Sequence, residues 1–448
     1  MNAPLIGSGW TFRAWRKRRC ASKPRGVRAL AKEMDLPRNK YLVVIFGLFM
    51  SQPFCSSCQN LALHDGDRVV FYGDSITAQQ FYTRFVEDFV LTRYPEMRVT
   101  FVNAGVPGDT VWGGYTGDQA TRLRRDVFPQ HATVITIMLG MNDGYYVPFE
   151  QKYFDIFTKG YRALLAAMQS SDPAPRITLL TPTPYDEVTH GTEFAHYNEV
   201  ISRHAAFVRE LAASSHLPMS DFYEAIESLA NAGAKKNSSL SALLIPDRIH
   251  PAEQAHWIMA ARLARTWGLS PVVSRVSMDA SKAVVLAAEN TRVTAFESKQ
   301  DGLSWTQADN ALPLPLPLEN EMMQFVLDIS DLAAMDQQIL QIANLSQARY
   351  VLKIDGKPIG SFSREQFAKG INLALYATPM EGQAKDVDGM ENQRAQLDEA
   401  VFILNIDDPK SATDPAATKA IEAKNRNLLE QQRKACKPGP HTFEVLPE

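Results

Sequence analysis

At 448 residues the chain is long for one ordinary domain, and 45% hydrophobic with 22% charged residues is the composition of a soluble globular protein with two units. The formal charge of −3 is unevenly placed: residues 1–58 hold 11 of the 47 Lys and Arg but 2 of the 50 Asp and Glu, leaving 36 against 48 beyond. A basic leader on an acidic body argues against nucleic acid as the partner, because phosphate binding needs a cationic face. No Cys/His spacing suggests a metal site, and no cofactor is expected.

Tyr41 to Met50 is an apolar run of ten residues, preceded by Arg38 and Lys40 and followed by small residues through Ser57. That is the order of an export signal, and the run is too short for a membrane span of about 20 residues. Residues 1–58 are therefore expected to be a cleaved leader, with an exported, periplasmic or secreted mature chain from near Gln59. Met34 opens a leader of more usual length and is a second candidate start. A buried core helix is the alternative for residues 41–50; a lipid anchor at Cys55 or Cys58 lacks the Leu three residues before. Cys20, Cys55 and Cys58 fall in the leader, so Cys436 alone remains and no internal disulfide is expected.

The first strand is predicted at Arg68 to Gly73, running directly into Gly73-Asp74-Ser75. A helix is expected from Ile76 to Tyr94, with Phe81, Phe85 and Phe89 spaced four apart to pack back on the sheet. Strands at Arg98–Gly105, Ala132–Leu139, Arg176–Leu180 and Leu217–Phe222 alternate with helices at Gln119–Phe128, Glu150–Ser170 and Phe194–Ser215. The glycines of Val106 to Gly114 mark a tight loop rather than an element. This alternation predicts a three-layer α/β/α sandwich on a parallel sheet, over residues 59–270. Ligands gather at the C-terminal ends of such strands. Three of those ends here deliver Gly73-Asp74-Ser75, Gly108-Asp109-Thr110 and Gly140-Met141-Asn142-Asp143.

Asp247 and His250 share one loop before a helix expected over Ala252–Trp267, so a single segment can supply a base and the carboxylate that orients it. Beyond residue 270 the texture changes, and residues 271–448 are predicted as a smaller extension. It holds a proline-alternating extended segment at Ala311–Leu318, a β-hairpin turning at Asp355-Gly356, and a charged helical run from Gln383 to Lys434 broken near Asp407–Pro409.

Acyl transfer needs an activated nucleophile, a base held in one tautomer and donors for the developing oxyanion. Ser75 is the candidate nucleophile, His250 its base and Asp247 the acceptor of the other imidazole N–H. The Ser75 and Gly108 backbone N–H groups and the Asn142 amide are the candidate oxyanion donors. Trp112, Tyr145, Tyr146, Tyr185 and Arg248 follow strand ends or flank the base, and are candidates for substrate binding. Asn372, in the glycine-flanked extension, is a candidate to reach the cleft. Asp74 and Asp143 are read as structural, bonding loop backbone N–H groups. His190, His196, His204 and His256 show no partner pattern.

Gly73-Asp74-Ser75, Gly108, Gly140-Met141-Asn142-Asp143 and Asp247-Arg248-Ile249-His250, in this order, resemble the blocks of the SGNH, or GDSL, esterase and lipase superfamily. The resemblance implies a flavodoxin-like sheet, a serine esterase mechanism without metal, and the roles just assigned. The segment from the Asp355-Gly356 hairpin through Met380 also resembles a C-terminal extension in some exported bacterial members. An α/β-hydrolase, which shares the Ser, Asp, His order, expects Gly-x-Ser-x-Gly after a mid-chain strand and does not fit. The expected activity is carboxylic ester hydrolysis, on O-acetyl groups of carbohydrate, with lysophospholipase or short-chain acyl lipase or thioesterase as the alternative. A glycan-binding protein, its second region a carbohydrate module, is the reading from another class. The expected partner is a small-molecule or polysaccharide ester.

Overall fold

The structure is a computed structural model describing residues 61–187, 189, 196–299, 302–402 and 415–448. The expected leader, His190 and the break at Asp407–Pro409 lie outside the described residues. In chain order the first region comprises β1 (Arg68–Gly73), α1 (Ser75–Ala78), α2 (Phe81–Arg93), β2 (Thr100–Gly105), the two-residue strands β3 (Gly113–Gly114) and β4 (Gly117–Asp118), α3 (Gln119–Arg122), β5 (Val134–Met138), α4 (Gln151–Gln169), β6 (Arg176–Leu180), α5 (Tyr197–Ser215), β7 (Met219–Ser220), α6 (Phe222–Lys236), α7 (Ser238–Ser241) and α8 (Glu253–Thr266). The main sheet has the order β2-β1-β5-β6-β7, every pair parallel. Side-chain alternation along β1 sends Val69 and Phe71 into one apolar core and Val70 and Tyr72 into another, so helices cover both faces. The strand order reverses direction between β1 and β5, so the crevice at their C-terminal ends is the place for a ligand.

One local expectation is corrected. The helix predicted over Ile76–Tyr94 is broken, because Gln80 takes a left-handed φ of 64° that ends α1 and restarts the chain as α2. Phe85 and Phe89 share the core with Val69 and Phe71 of β1 and also meet α8: the Phe85 ring stacks on Trp257 at 3.9 Å, while Tyr82 turns edge-on to Phe71.

The extension continues with β8 (Val272–Asp279), β9 (Val284–Glu289), β10 (Thr291–Lys299), β11 (Gly302–Asp309), α9 (Glu321–Ile329), β12 (Gln337–Ala343), β13 (Arg349–Ile354), β14 (Lys357–Ser363), α10 (Arg364–Lys369), β15 (Ile371–Asn372), α11 (Pro379–Phe402), α12 (Pro415–Ala435) and β16 (Pro440–Pro447). It holds far more strand than the hairpin expected: sheets β10-β11-β16-β13-β14 and β15-β12-β8-β9 share a core of Val276, Trp305, Ile342, Leu352 and Phe443. The hairpin itself turns at Asp355-Gly356, both with positive φ, as a two-residue type I′ connection requires.

The Ala311–Leu318 segment is a buried strap across the end of α2. Leu312, Leu314 and Leu316 are fully buried, and each has a partner for its N–H: the Thr92 carbonyl at 2.9 Å, the Asp336 carboxylate at 3.0 Å and the Leu314 carbonyl at 2.8 Å. The intervening prolines have no N–H to satisfy, so the strap lies in the interior without a strand partner. Arg93 of α2 closes it, donating to the Leu312 carbonyl and pairing with buried Asp336. Leu314, Leu316, Met323 and Val326 belong to the same apolar cluster as Trp257 and Phe85, so the core runs across residue 270.

α11 lies against α2 through a buried charged cluster. Arg394 bonds Glu391 at 2.6 Å and Gln432 of α12 at 2.9 Å and also pairs with Glu87, while Arg84 reaches Asp388 at 3.3 Å and Glu253 at 3.1 Å. Asp88 is buried beside them, so the acids outnumber the two guanidinium groups. Burial, with Glu87 adding repulsion, pushes the Glu391 carboxyl up to about 8. A carboxyl whose folded pKa lies above its unfolded one contributes stability at acid pH that is lost as pH rises through the folded value. The melting temperature is therefore expected to fall between about pH 4.5 and 8, the unfolded and folded values, and Glu391→Gln, which needs no proton, to flatten that fall. Parallel pH profiles for the two proteins would remove Glu391 as the cause.

Candidate active site

β1 stops at Gly73, and Asp74, in extended backbone, caps α1 by accepting the Ile76 N–H at 3.0 Å. Ser75 is thus the first residue of α1, and its own N–H has no place in the helix ladder. Burial pushes the Asp74 carboxyl up to about 7, with the Ile76 N–H pulling the other way. Asp247 folds its loop back on itself: one carboxylate oxygen accepts the Ile249 N–H at 3.0 Å and the His250 N–H at 2.7 Å, and the other meets His250 Nδ1. His250 Nε2 stands 2.7 Å from Ser75 Oγ. Residues 175 apart in sequence are thereby brought into one array.

His256, one of the histidines without an evident partner, fixes this loop. It is fully buried, and burial pushes it down to about 3, so the ring is neutral. Nδ1 accepts the Tyr82 N–H at 3.2 Å, which leaves the proton on Nε2 to donate to the Pro251 carbonyl at 3.1 Å. The residue after His250 is so tied to the start of α2. Nothing in the spacing signals this, since the acceptor and donor lie on separate elements.

Gly108 is exposed with φ of 75°, and a Cβ there would have nothing within 4 Å. The left-handed backbone, not crowding, calls for glycine at this open position. Asn142 is held at both ends of its amide: Nδ2 donates to the Asp109 carbonyl at 2.9 Å, and Oδ1 accepts from the Tyr146 hydroxyl at 2.9 Å. One N–H of Nδ2 is left over for another acceptor. Asp143 accepts the Val111 N–H at 2.9 Å and is itself pushed up to about 7 by burial. The loop after β5 and the loop after β2 are stitched together by these two adjacent residues. Behind the loop after β5, His204 Nδ1 meets the Gly140 carbonyl at 2.8 Å, its ring stacked on Phe157 and neutral because burial pushes it down to about 4.

Beneath the loops lies Arg122, fully buried, which the sequence shows only as one arginine in a helical stretch. It bonds Asp109 at 2.6 Å and the Ala104 carbonyl at 2.8 Å, pairs with Asp126, and lies 4.7 Å over the Tyr72 ring. An i, i+4 Arg–Asp pair ordinarily marks a solvated face, so the signal points the wrong way.

The aromatic candidates separate. Trp112 and Tyr145 are 40% and 53% exposed. Tyr146 is half-buried, stacked on Tyr197 at 4.8 Å and bonded to Asn142, so it positions the amide. Tyr185 is corrected: at 2% exposed, edge-on to Tyr197 at 4.9 Å, it is a core residue rather than an open aromatic surface. Arg248 is half-exposed at φ of 70°, its carbonyl accepting the Asp186 N–H at 3.3 Å. Asn372 does not reach the site; it is used within the extension, bonding the Gln338 N–H at 2.9 Å and the Asp336 carbonyl at 2.8 Å. Among the described residues no group of His, Cys, Asp or Glu is arranged to hold a metal, and no helix is long and apolar enough to cross a membrane.

A hydroxyl hydrogen-bonded to an imidazole whose other nitrogen meets a carboxylate, at the C-terminal edge of a parallel sheet, is the constellation of a hydrolase working through an activated side-chain oxygen. Residues 71–258 match the GDSL-like lipase/acylhydrolase family, and this part of the chain is an SGNH/GDSL domain, that of a carboxylic ester hydrolase. The acetylxylan esterase of Geobacillus stearothermophilus is 26% identical over 236 residues, which are 48% of this chain and 100% of that protein. A gut microbial diltiazem-metabolizing enzyme of known structure shares the fold with a TM-score of 0.76 at 23% identity, over 86% of this chain and 98% of its own. The crystal structure of the Geobacillus stearothermophilus esterase Axe2 aligns at a TM-score of 0.37 and 24% identity, over 46% of this chain and 97% of its own.

Arg122→Leu would leave the Asp109 carboxylate buried and unpaired beneath Gly108. Removing one partner of such a pair costs on the order of 3–5 kcal/mol, so urea unfolding is expected to show a loss of about that size. An unfolding free energy equal to that of the wild type would mean the pair does not hold the loop.

Proposed function

We propose that the protein is a serine esterase that removes O-acetyl groups from carbohydrate through an acyl-Ser75 intermediate. The observation that carries the reading is the 2.7 Å contact of Ser75 Oγ with His250 Nε2, with Asp247 on Nδ1. In the first half-reaction His250 takes the Ser75 proton as Oγ attacks the acyl carbon. The resulting oxyanion is held by the Ser75 and Gly108 N–H groups and the spare Asn142 N–H. Collapse expels the sugar alcohol, which takes the proton from His250. Water, deprotonated by His250, then cleaves the acyl-enzyme and releases acetate. Asp247 keeps the imidazole in the tautomer that presents a basic Nε2 to Ser75.

The acetylxylan esterase relative supports acetylated glycan as the substrate. The basic and apolar leader of residues 1–58 supports export, which would bring the enzyme to extracellular polysaccharide.

A fluorophosphonate probe with peptide mass mapping is expected to place one adduct on Ser75, absent in His250→Ala. Ser75→Ala should lose turnover by orders of magnitude, and Asn142→Ala should lower kcat by about 10²–10³ as expected for one oxyanion donor. Turnover that survives Ser75→Ala would end the acyl-enzyme reading. Acetate release from acetylated xylan, compared with fatty-acid release from lysolipid, tests the substrate; preference for the lysolipid would overturn the carbohydrate assignment.

A further inference from the structure

Two of the exposed aromatic side chains are held in place at some cost to local backbone stability. The Trp112 indole lies in a notch of α4 made by Gly160, where a Cβ would stand 2.6 Å from Trp112 Nε1 and 2.5 Å from Val111 Cγ2. Glycine inside a helix is destabilising relative to alanine, so α4 is weakened to seat this ring. Its N–H is also satisfied, donating to the Ile156 carbonyl at 3.0 Å. The ring nevertheless stays 40% exposed. A tryptophan so fixed by its edge and underside presents a rigid apolar surface to water.

Tyr145 shows the same pattern. It and Tyr146 take left-handed φ of 55° and 57° in succession, a strained arrangement for two side-chain-bearing residues. The strain sends Tyr146 inward to Asn142 and Tyr145 outward, where it is 53% exposed with its ring 4.9 Å from Tyr153 of α4. Tyr153, Ile156 and Gly160 fall on one side of α4, so Trp112 and Tyr145 lean on neighbouring turns of the same helix. The stretch spans roughly 10 Å along the helix axis. Trp112 and Tyr145 also belong to the loops that carry Gly108 and Asn142, which joins this surface to the site.

Resting on the esterase reading above, we propose that Trp112 and Tyr145, backed by Tyr153 and Ile156, form a stacking platform for the pyranose rings of a glycan chain whose acetylated unit lies at Ser75. An acyl chain would call for a concave apolar groove that removes it from water. Exposed ring faces instead suit the flat C–H face of a pyranose, whose hydroxyls stay wet. Lys152, paired with Glu150 at 2.6 Å, holds its Nζ 4.5 Å from the centre of the Tyr153 ring and supplies a polar partner for hydroxyls beside the platform.

The test separates binding from turnover. Full-length Ser75→Ala protein is run in native gels containing soluble acetylated xylan, acetylated glucomannan or pectin. At least one polysaccharide is expected to retard it, Trp112→Ala and Tyr145→Ala in that background to weaken the retardation constant by about tenfold or more, and Trp112→Tyr to stay within about threefold of the parent. Circular dichroism confirms that each variant is folded, and Tyr145→Ala carries the test should Trp112→Ala not fold. No retardation on any polysaccharide, or alanine variants retarded like the parent, overturns the platform. Acetate release from a small aryl ester by the wild type is read separately: hydrolysis without retardation sinks the platform alone, and retardation without hydrolysis sinks the esterase reading alone.

Discussion

The loops around Ser75 stand on one buried guanidinium. Arg122 reaches Asp109 in the loop after β2, the helical turn that follows α3 through Asp126, and the Ala104 carbonyl near the end of β2. A charge this deep is tolerable only when fully paired, so its partners are constrained in position as well as in kind. Asp109 in turn offers its carbonyl to Asn142, and Asp143 next door grips Val111. The geometry of the exposed loops therefore descends from an interaction that no substrate touches.

A second set of contacts serves the opposite side of Ser75. Gln80 breaks the helix so that α1 stays a single turn under the serine, and His256 fastens the start of α2 to the carbonyl of Pro251. The far end of α2 is gripped through Arg93 by the strap and Asp336, and its outer face by Arg394 of α11. α2 thus works as a brace between the loop bearing His250 and the extension, which explains why an apolar core crosses residue 270 without interruption.

Much of the sheet was legible because parallel strands buried on both faces read as unbroken apolar runs, and three of them end in polar and glycine residues that have no reason to gather except at a site. The array of Ser75, His250 and Asp247 was legible for the same reason, each residue standing at a strand or helix boundary. What sequence did not disclose is what acts at a distance. His204 and His256 take partners from other elements, and Arg122 resembles an ordinary surface residue until its burial is seen. Tyr185 looked available because it follows a strand end, yet the neighbouring Tyr197 ring draws it into the core. The extension hid β9 and β10 because both are largely exposed: β9 is apolar yet faces outward, and β10 mixes polar and apolar residues, so neither shows an alternation that matches its burial.

The alternation of leucine and proline in the strap has a consequence for the partly opened protein. An extended apolar segment released from an interior is ordinarily a template on which another chain can add a strand. Here every second residue lacks the donor such pairing needs, and the rings hold the backbone away from a regular ladder. Should the extension lift from α2, the segment it uncovers is greasy but unable to propagate a sheet.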